Sequence, residues 1–303
     1  MSLRSILTVT FITVSCLVFG QGRDRYKYEL LGGLGPTNFL GELGGANQIG
    51  THFIRDFDMN ATRFCLNGGV RYKNHPYFAV KAMFNFAMLS GNDALTQELY
   101  RHNRNLNFRS PILELSVQGE FYFLTEKSRN LYTISGLRKK KRKKNTTAYI
   151  LAGLGGFYYS PHAKYNGTWY NLRKLHTEGQ GLPGGPAQYS NFNVCIPLGV
   201  GVRYSINKQW SIGAELSVRK TFTDYIDDVS TRYYDKAKLA SAYGATSAAL
   251  ADPSLGDIAN ATAPNADGTG AQRGDSRYKD SYMFFTIQVG YKFTKRHRTR
   301  AKF

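Results

Sequence analysis

The sequence predicts an all-β protein: an eight-stranded antiparallel transmembrane β-barrel of the outer membrane with long extracellular loops. Three observations lead there. Strand-length segments alternate apolar and polar residues with a period of two. Of the 303 residues 14% are aromatic, with 21 Tyr and 19 Phe beside 31 Gly and only 9 Pro. The N-terminus reads as an export signal, and no later apolar run is long enough for a spanning helix. A mean hydropathy of −0.39 agrees with a barrel, whose lipid-facing residues alternate with polar lumen-facing ones. A soluble β-sandwich also alternates. It does not need so many aromatics at strand ends, nor apolar rows backed by rows containing charges.

The opening "MSLRSILTVTFITVSCLVFGQG" holds one early cation, Arg4, and an apolar stretch from Ile6 to Phe19. That is short for a membrane helix and suits a secretory signal peptide cut near Gln21, with Val18 and Gly20 as the small residues. A lipoprotein signal acylated at Cys16 is the competing reading, weakened by Thr13 at the start of the lipobox. The expected organisation is a signal peptide over 1–20, a barrel over 21–293 and a basic periplasmic tail over 294–303. Cys65 and Cys195 remain after cleavage. They are too few for a disulfide framework, and half a circumference should separate them.

The strands follow in order. In "TRFCLNGGVRY", Phe64, Leu66, Val70 and Tyr72 share one face and Cys65, Asn67 and Arg71 the other. "FAVKAMFNFAM" sets Phe78, Val80, Phe84 and Phe86 against Lys81, Met83 and Asn85. "PILELSVQGEFYF" sets Leu113, Leu115, Val117 and Phe121 against Glu114, Ser116, Gln118 and Glu120. "FNVCIPLGVGVRY", "WSIGAELSVRKTF" and "YMFFTIQVGYKF" repeat the pattern, with Arg203, Glu215, Arg219 and Lys292 on the polar side. Two Gly-rich strands, near Tyr26–Leu34 and Ala148–Tyr159, have a less defined register. Each strand is about ten residues long, enough to cross a bilayer at a tilt.

An eight-stranded barrel is filled by its own side chains. Its inward charges, Arg71, Lys81, Glu114, Glu120, Arg203, Glu215 and Arg219, should therefore pair and close the lumen, because an unpaired buried charge is costly. With an even strand count both termini lie on one side, expected to be the periplasm. Residues near 35–61, 92–109, 160–191 and 224–280 then become extracellular loops, the last a low-complexity stretch.

The connection over 125–147 is long for the periplasmic side. It contains "GLRKKKRKKN", with Arg138, Lys139, Lys140, Lys141, Arg142, Lys143 and Lys144 in a row. The tail adds Lys295, Arg296, Arg298, Arg300 and Lys302, and the two segments account for most of the net charge of +19. Export removes nuclear import and nucleic-acid binding from consideration. A solvated basic loop near anionic headgroups is one reading; a docking patch for an acidic periplasmic partner is the other.

Longer blocks carry a family likeness. "YKYELLGGLGPTNFLGELGG", "SPILELSVQGEFYFL", "YILAGLGGFYYSPHAKYNGTWYNLRKLHTEGQG", "IPLGVGVRYSINKQWSIGAELSVRKTFTDYIDDVSTRYYD", "LADPS" and "YMFFTIQVGYKF" resemble outer-membrane barrels of the PorG type, over nearly the whole mature chain. The resemblance implies a part in type IX secretion, machinery that also supports gliding. It implies a barrel that anchors a periplasmic ring by contacting a lipoprotein of the PorK/PorN kind, with outer-membrane lipids around it.

No catalytic, cofactor or metal motif accompanies this likeness, so the expectation is a non-enzyme. His52, His75, His102, His162, His176 and His297 fall in loops or the tail without paired spacing. Asp224, Asp227 and Asp228 beside Tyr225 suggest a hydrolytic or calcium set at first sight. They read better as a solvated acidic strand end, having no nucleophile or ligand spacing. The remaining alternative is a small barrel with an external ligand-binding or lipid-modifying enzymatic role.

Overall fold

The computed structural model describes residues 27–43, 61–96, 98–125, 145–258, 261–263 and 270–293. Ten strands follow one another along the chain: β1 Tyr28–Leu40, β2 Arg63–His75, β3 Phe78–Asn92, β4 Asn107–Leu124, β5 Thr146–Tyr159, β6 His162–Tyr165, β7 Thr168–Asn171, β8 Phe192–Ser205, β9 Trp210–Thr221 and β10 Ser281–Lys292. Eight of them form one antiparallel sheet in the order β3-β2-β1-β10-β9-β8-β5-β4, and β3 also pairs with β4. The sheet is therefore closed: an eight-stranded barrel without a free edge. Closure is what a bilayer demands, since every backbone donor and acceptor in the hydrocarbon must find a partner within the protein.

The alternation sets the two faces. Leu115, Leu154, Leu198, Val200 and Ile287 are exposed on the outside, while Glu114, Lys81 and Arg71 on the neighbouring parity are buried. Such a continuous exposed apolar belt would be unstable in water and suits lipid. One rim carries Tyr28, Tyr72, Tyr204, Trp210, Tyr291 and Phe293, with Tyr28 on Tyr72 at 5.0 Å and Trp210 on Tyr291 at 4.9 Å between ring centres. At the other rim Phe64 meets Phe86 and Tyr158 meets Phe192. These are the two aromatic girdles of a membrane barrel.

The strands are longer on one side than the alternation alone implies. β3 has 15 residues and β4 has 18, so the barrel wall continues past the girdle. The described parts of the expected loops there prove to be folded. β6 and β7 form a hairpin hung on β4 through Arg109 and His162. Two helices, Lys236–Tyr243 and Ala245–Ala251, lie within the stretch expected to be a low-complexity loop. Glu98 caps a further helix, Leu99–Arg104, by accepting from the backbone of Tyr100 and Arg101. Together these segments make a cap. Its apolar centre joins Phe39, Leu43, Leu106, Phe108, Tyr189 and Ile226 to residues of the upper barrel. No described helix is long and apolar enough to cross a membrane.

Candidate functional site

The lumen holds four carboxylates and four cations. β1 brings Glu29, β4 Glu114 and Glu120, and β9 Glu215; β2 brings Arg71, β3 Lys81, β8 Arg203 and β9 Arg219. Arg71 joins Glu29 and Glu120, both at 2.8 Å. Lys81 lies 3.5 Å from Glu120 and 2.5 Å from Glu215. Arg203 reaches Glu29 at 3.0 Å and Arg219 reaches Glu114 at 3.1 Å. Formal charge sums to zero over these eight buried groups; Lys292, donating to Ser205 at 2.9 Å, and Lys73, over the Tyr122 ring at 4.7 Å, add cations toward one end of the lumen.

Neutral donors complete the network. Tyr122 donates to Glu120 at 2.5 Å, Tyr149 to Glu215 at 2.8 Å, Tyr282 to Glu114 at 2.9 Å and Ser211 to Glu29 at 2.6 Å. The Arg219 guanidinium also lies over the Phe284 ring at 4.0 Å. Charged groups deprived of water are tolerable only when paired this fully. Chemically the lumen is a sealed electrostatic brace. Of the eight charged residues only Glu29 was missed by sequence reasoning, although its alternation with Leu30 could have revealed it; the hydroxyls of Tyr122, Tyr149 and Tyr282 were not anticipated either.

Above the lumen the cap contains a second charged layer. Asp93 receives Arg104 at 2.7 Å. Glu178 accepts from Arg273 at 2.9 Å and from the backbone of Ser230 and Thr231. Asp228, in the left-handed region at φ 66°, accepts from Tyr189 at 2.6 Å and from Thr177. Burial pushes its carboxyl up to about 6, against the pull of Arg273.

Asp224, Asp227 and Asp228 are thus not the solvated strand end the sequence suggested. All three are buried, because the 224–280 connection folds back over the barrel mouth. Among the described residues, no three His, Cys, Asp or Glu are disposed to hold a metal.

Cys65 and Cys195 are free thiols, both buried, the second near the Tyr282 hydroxyl at 3.8 Å. His75 ends β2, His162 begins β6, and His102 lies in the Leu99–Arg104 helix. His176 stacks on Tyr243 at 4.4 Å, and burial with the nearby Arg173 lowers its pKa. His52 and His297 lie outside the described residues, as do the 1–20 signal segment, Arg138, Lys139, Lys140, Lys141, Arg142, Lys143, Lys144, Lys295, Arg296, Arg298, Arg300 and Lys302.

The chain positions from which the two basic segments depart are described, and they share one end of the barrel. Asn145 accepts from the backbone of Ser205, and Phe293 donates to Tyr28. The short β2–β3 and β8–β9 turns are at that same end.

A closed eight-stranded sheet, an apolar belt between aromatic girdles and an ion-paired interior define a small β-barrel of the outer-membrane kind. The chain belongs to the DUF6089 family, a domain of unknown function, which matches residues 9–240. No curated protein matches the sequence. Among solved structures it is similar to Ail of Yersinia pestis, at 9% identity over 89% of this chain and 100% of that one, with a TM-score of 0.36. OprG from Pseudomonas aeruginosa gives 9% over 90% and 99%, with a TM-score of 0.37. Neisserial surface protein A gives 10% over 90% and 100%, with a TM-score of 0.35. Overlaps this loose add nothing to what the closed sheet itself defines.

Proposed function

We propose that this barrel is an outer-membrane component of the type IX secretion machinery, gliding-associated in bacteria that glide, and that it anchors a periplasmic ring. In this reading it is not an enzyme, it uses no cofactor, and both termini face the periplasm. One observation carries the proposal: a lumen closed by ion pairs is joined to a rim from which both strongly basic segments depart. A sealed barrel suits an anchor better than a transporter. The likeness of its sequence blocks to PorG-type barrels supplies the machinery, and a lipoprotein of the PorK/PorN kind is the partner. Arg138 to Lys144 and the tail cations Lys295, Arg296, Arg298, Arg300 and Lys302 provide the contact. Each exposed pair is worth only about 0–1 kcal/mol, but seven adjacent cations steer encounter and orientation.

The test replaces Arg138 to Lys144 by Ser. Barrel assembly should persist while recovery of the periplasmic partner from envelope extracts falls, with added salt weakening the wild-type complex as the Debye length shortens. Undiminished recovery, or cleavage at Lys141 by protease added to intact cells, refutes the proposal. The ordered cap supports a second reading, an external ligand-binding or lipid-modifying role. It has an open cleft of about 400 Å³ lined by Asn105, Asn107, Lys164, Tyr165 and Asp252.

A further inference from the structure

Among the described residues, the cap buries more carboxylates than its cations can serve. Arg104 is committed to Asp93 and also lies 3.8 Å from Glu42, and Arg273 is committed to Glu178 and the Asp228 carbonyl. Lys279 turns its ammonium to the Ser276 carbonyl at 2.7 Å. Asp224, Asp227 and Asp280 are each at most 2% exposed and lie within electrostatic range of one another and of Glu42. None of the three has an ion-pair partner among the contacts described.

Their hydrogen bonds tie three separate pieces of chain together. Asp227 accepts from the Leu43 backbone at 3.3 Å, joining the 224–230 segment to the end of β1. Asp280 accepts from the Ile226 backbone at 2.9 Å, joining that segment to the start of β10. Asp224 accepts from Ser230 at 2.8 Å, and Glu42 from the Asp275 backbone. One oxygen each of Asp224 and Asp280 is buried with no donor among the described residues. An ionised carboxylate in that state is expensive, and a proton removes the charge and supplies the missing hydrogen bond. The remaining charges facing the cluster are Arg104 from the Leu99–Arg104 helix, Glu178 from the 172–191 connection, and Lys279. The Tyr159 phenol faces it from β5.

We infer that Asp224, Asp227 and Asp280, with Glu42, form a proton-held staple that keeps the cap closed on the barrel mouth in acid and releases it as pH rises. Burial pushes Asp224 up to about 7, with Glu42 and Glu178 adding to it and Ser230 opposing. Burial raises Asp227 and Asp280 as well, reinforced by the other carboxylates. The sign follows from linkage. Between the ordinary aspartate value near 4 and about 7, Asp224 in the closed cap holds a proton that an opened cap has lost. Closure therefore weakens with rising pH across that window, and the raised Asp227 and Asp280 act in the same direction. Each retained proton changes the opening equilibrium about tenfold per pH unit within the window.

Hydrogen exchange on the full chain in lipid nanodiscs tests this, with rates at pH 5, 6, 7 and 8 converted to protection factors. Peptides covering 41–43 and 224–230 should lose about tenfold or more in protection per unit between pH 5 and pH 7. Peptides from β2 and β3 should show no such slope. Asp280→Asn keeps the shape without the ionisation and should flatten the slope, as should Asp224→Asn if the first variant fails to fold. Protection in the cap that does not vary with pH overturns the inference. So does restoration of protection at pH 8 by millimolar calcium, which would make the cluster a cation site instead.

Discussion

The ammonium of Lys81 and the carboxylate of Glu215 meet at 2.5 Å although β3 and β9 lie four strands apart on a ring of eight. A contact between diametrically opposite strands crosses the full lumen. With Glu120 and Tyr149 attached to the same pair, buried side chains span the lumen at this level. Reconstituted barrel in planar bilayers should show no steady conductance. A stable open channel in the wild type would sink the sealed-lumen description.

Removing one partner of that contact should be costly. Lys81→Ala leaves Glu215 buried without a cation and should lower stability by about 3–5 kcal/mol. Urea unfolding in lipid vesicles reads this directly. An unchanged midpoint would mean that water reaches the lumen and solvates Glu215.

The outer face should respond to depth. Val200 and Leu216 are register partners in the middle of β8 and β9. Arginine at either site should cost about 2–4 kcal/mol of barrel stability. At Ser217, which faces the lumen and accepts from Arg219, arginine should fail differently, by placing like charges in a closed interior. Ala242→Arg, on the exposed surface of the cap, should be nearly neutral. Equal losses at Leu216 and Ala242 would show that the register is wrong.

A fourth test concerns the seam where the first and last strands meet. A Cβ added at Gly35 would lie 1.9 Å from the Phe285 carbonyl oxygen, so Gly35→Ala should impair closure of β1 on β10. At Gly32 an added Cβ meets nothing within 4 Å, and Gly32→Ala should fold normally. The heat-dependent gel shift of a folded barrel distinguishes them. Equal folded fractions for both variants would remove the steric argument.

In the cap, Arg273→Ala should expose how Glu178 is held. Glu178 accepts from Arg273, from Ser230 and from both the backbone and hydroxyl of Thr231. Losing the guanidinium leaves a buried carboxylate and should open the cap locally by about 3–5 kcal/mol. Protease should then cut within 224–280 while the barrel's urea midpoint stays in place. Retained protease resistance would show that the backbone donors suffice.

The barrel was legible because lipid on one side and packed polar groups on the other impose a strict alternation, and Phe64 to Tyr72 or Leu113 to Phe123 display it without interruption. β1 was harder. Its "LGGLG" run has few side chains to assign to either face, so Glu29 was not placed in the lumen. The cap was read as loop because its stability comes from pairs distant in sequence, such as Glu178 with Arg273 and Asp227 with Leu43. Nothing local distinguishes a buried aspartate in "TDYIDD" from a solvated one. The basic run was obvious as composition, but composition does not identify what it touches.

The closed ring also constrains how the protein can be built. Its seam joins the first strand to the last, and its ion pairs join early strands to late ones: Glu29 with Arg203, Lys81 with Glu215, Glu114 with Arg219. A partly inserted sheet of β1 to β5 would carry Glu29, Lys81 and Glu114 into the hydrocarbon with Arg203, Glu215 and Arg219 still outside. Neutralising the interior and sealing the seam must therefore be one event, reached only when the C-terminal strands arrive. Contacts of such long sequence separation make folding slow. A nascent chain of this kind needs to be held in a soluble, unfolded state until its final strand is available.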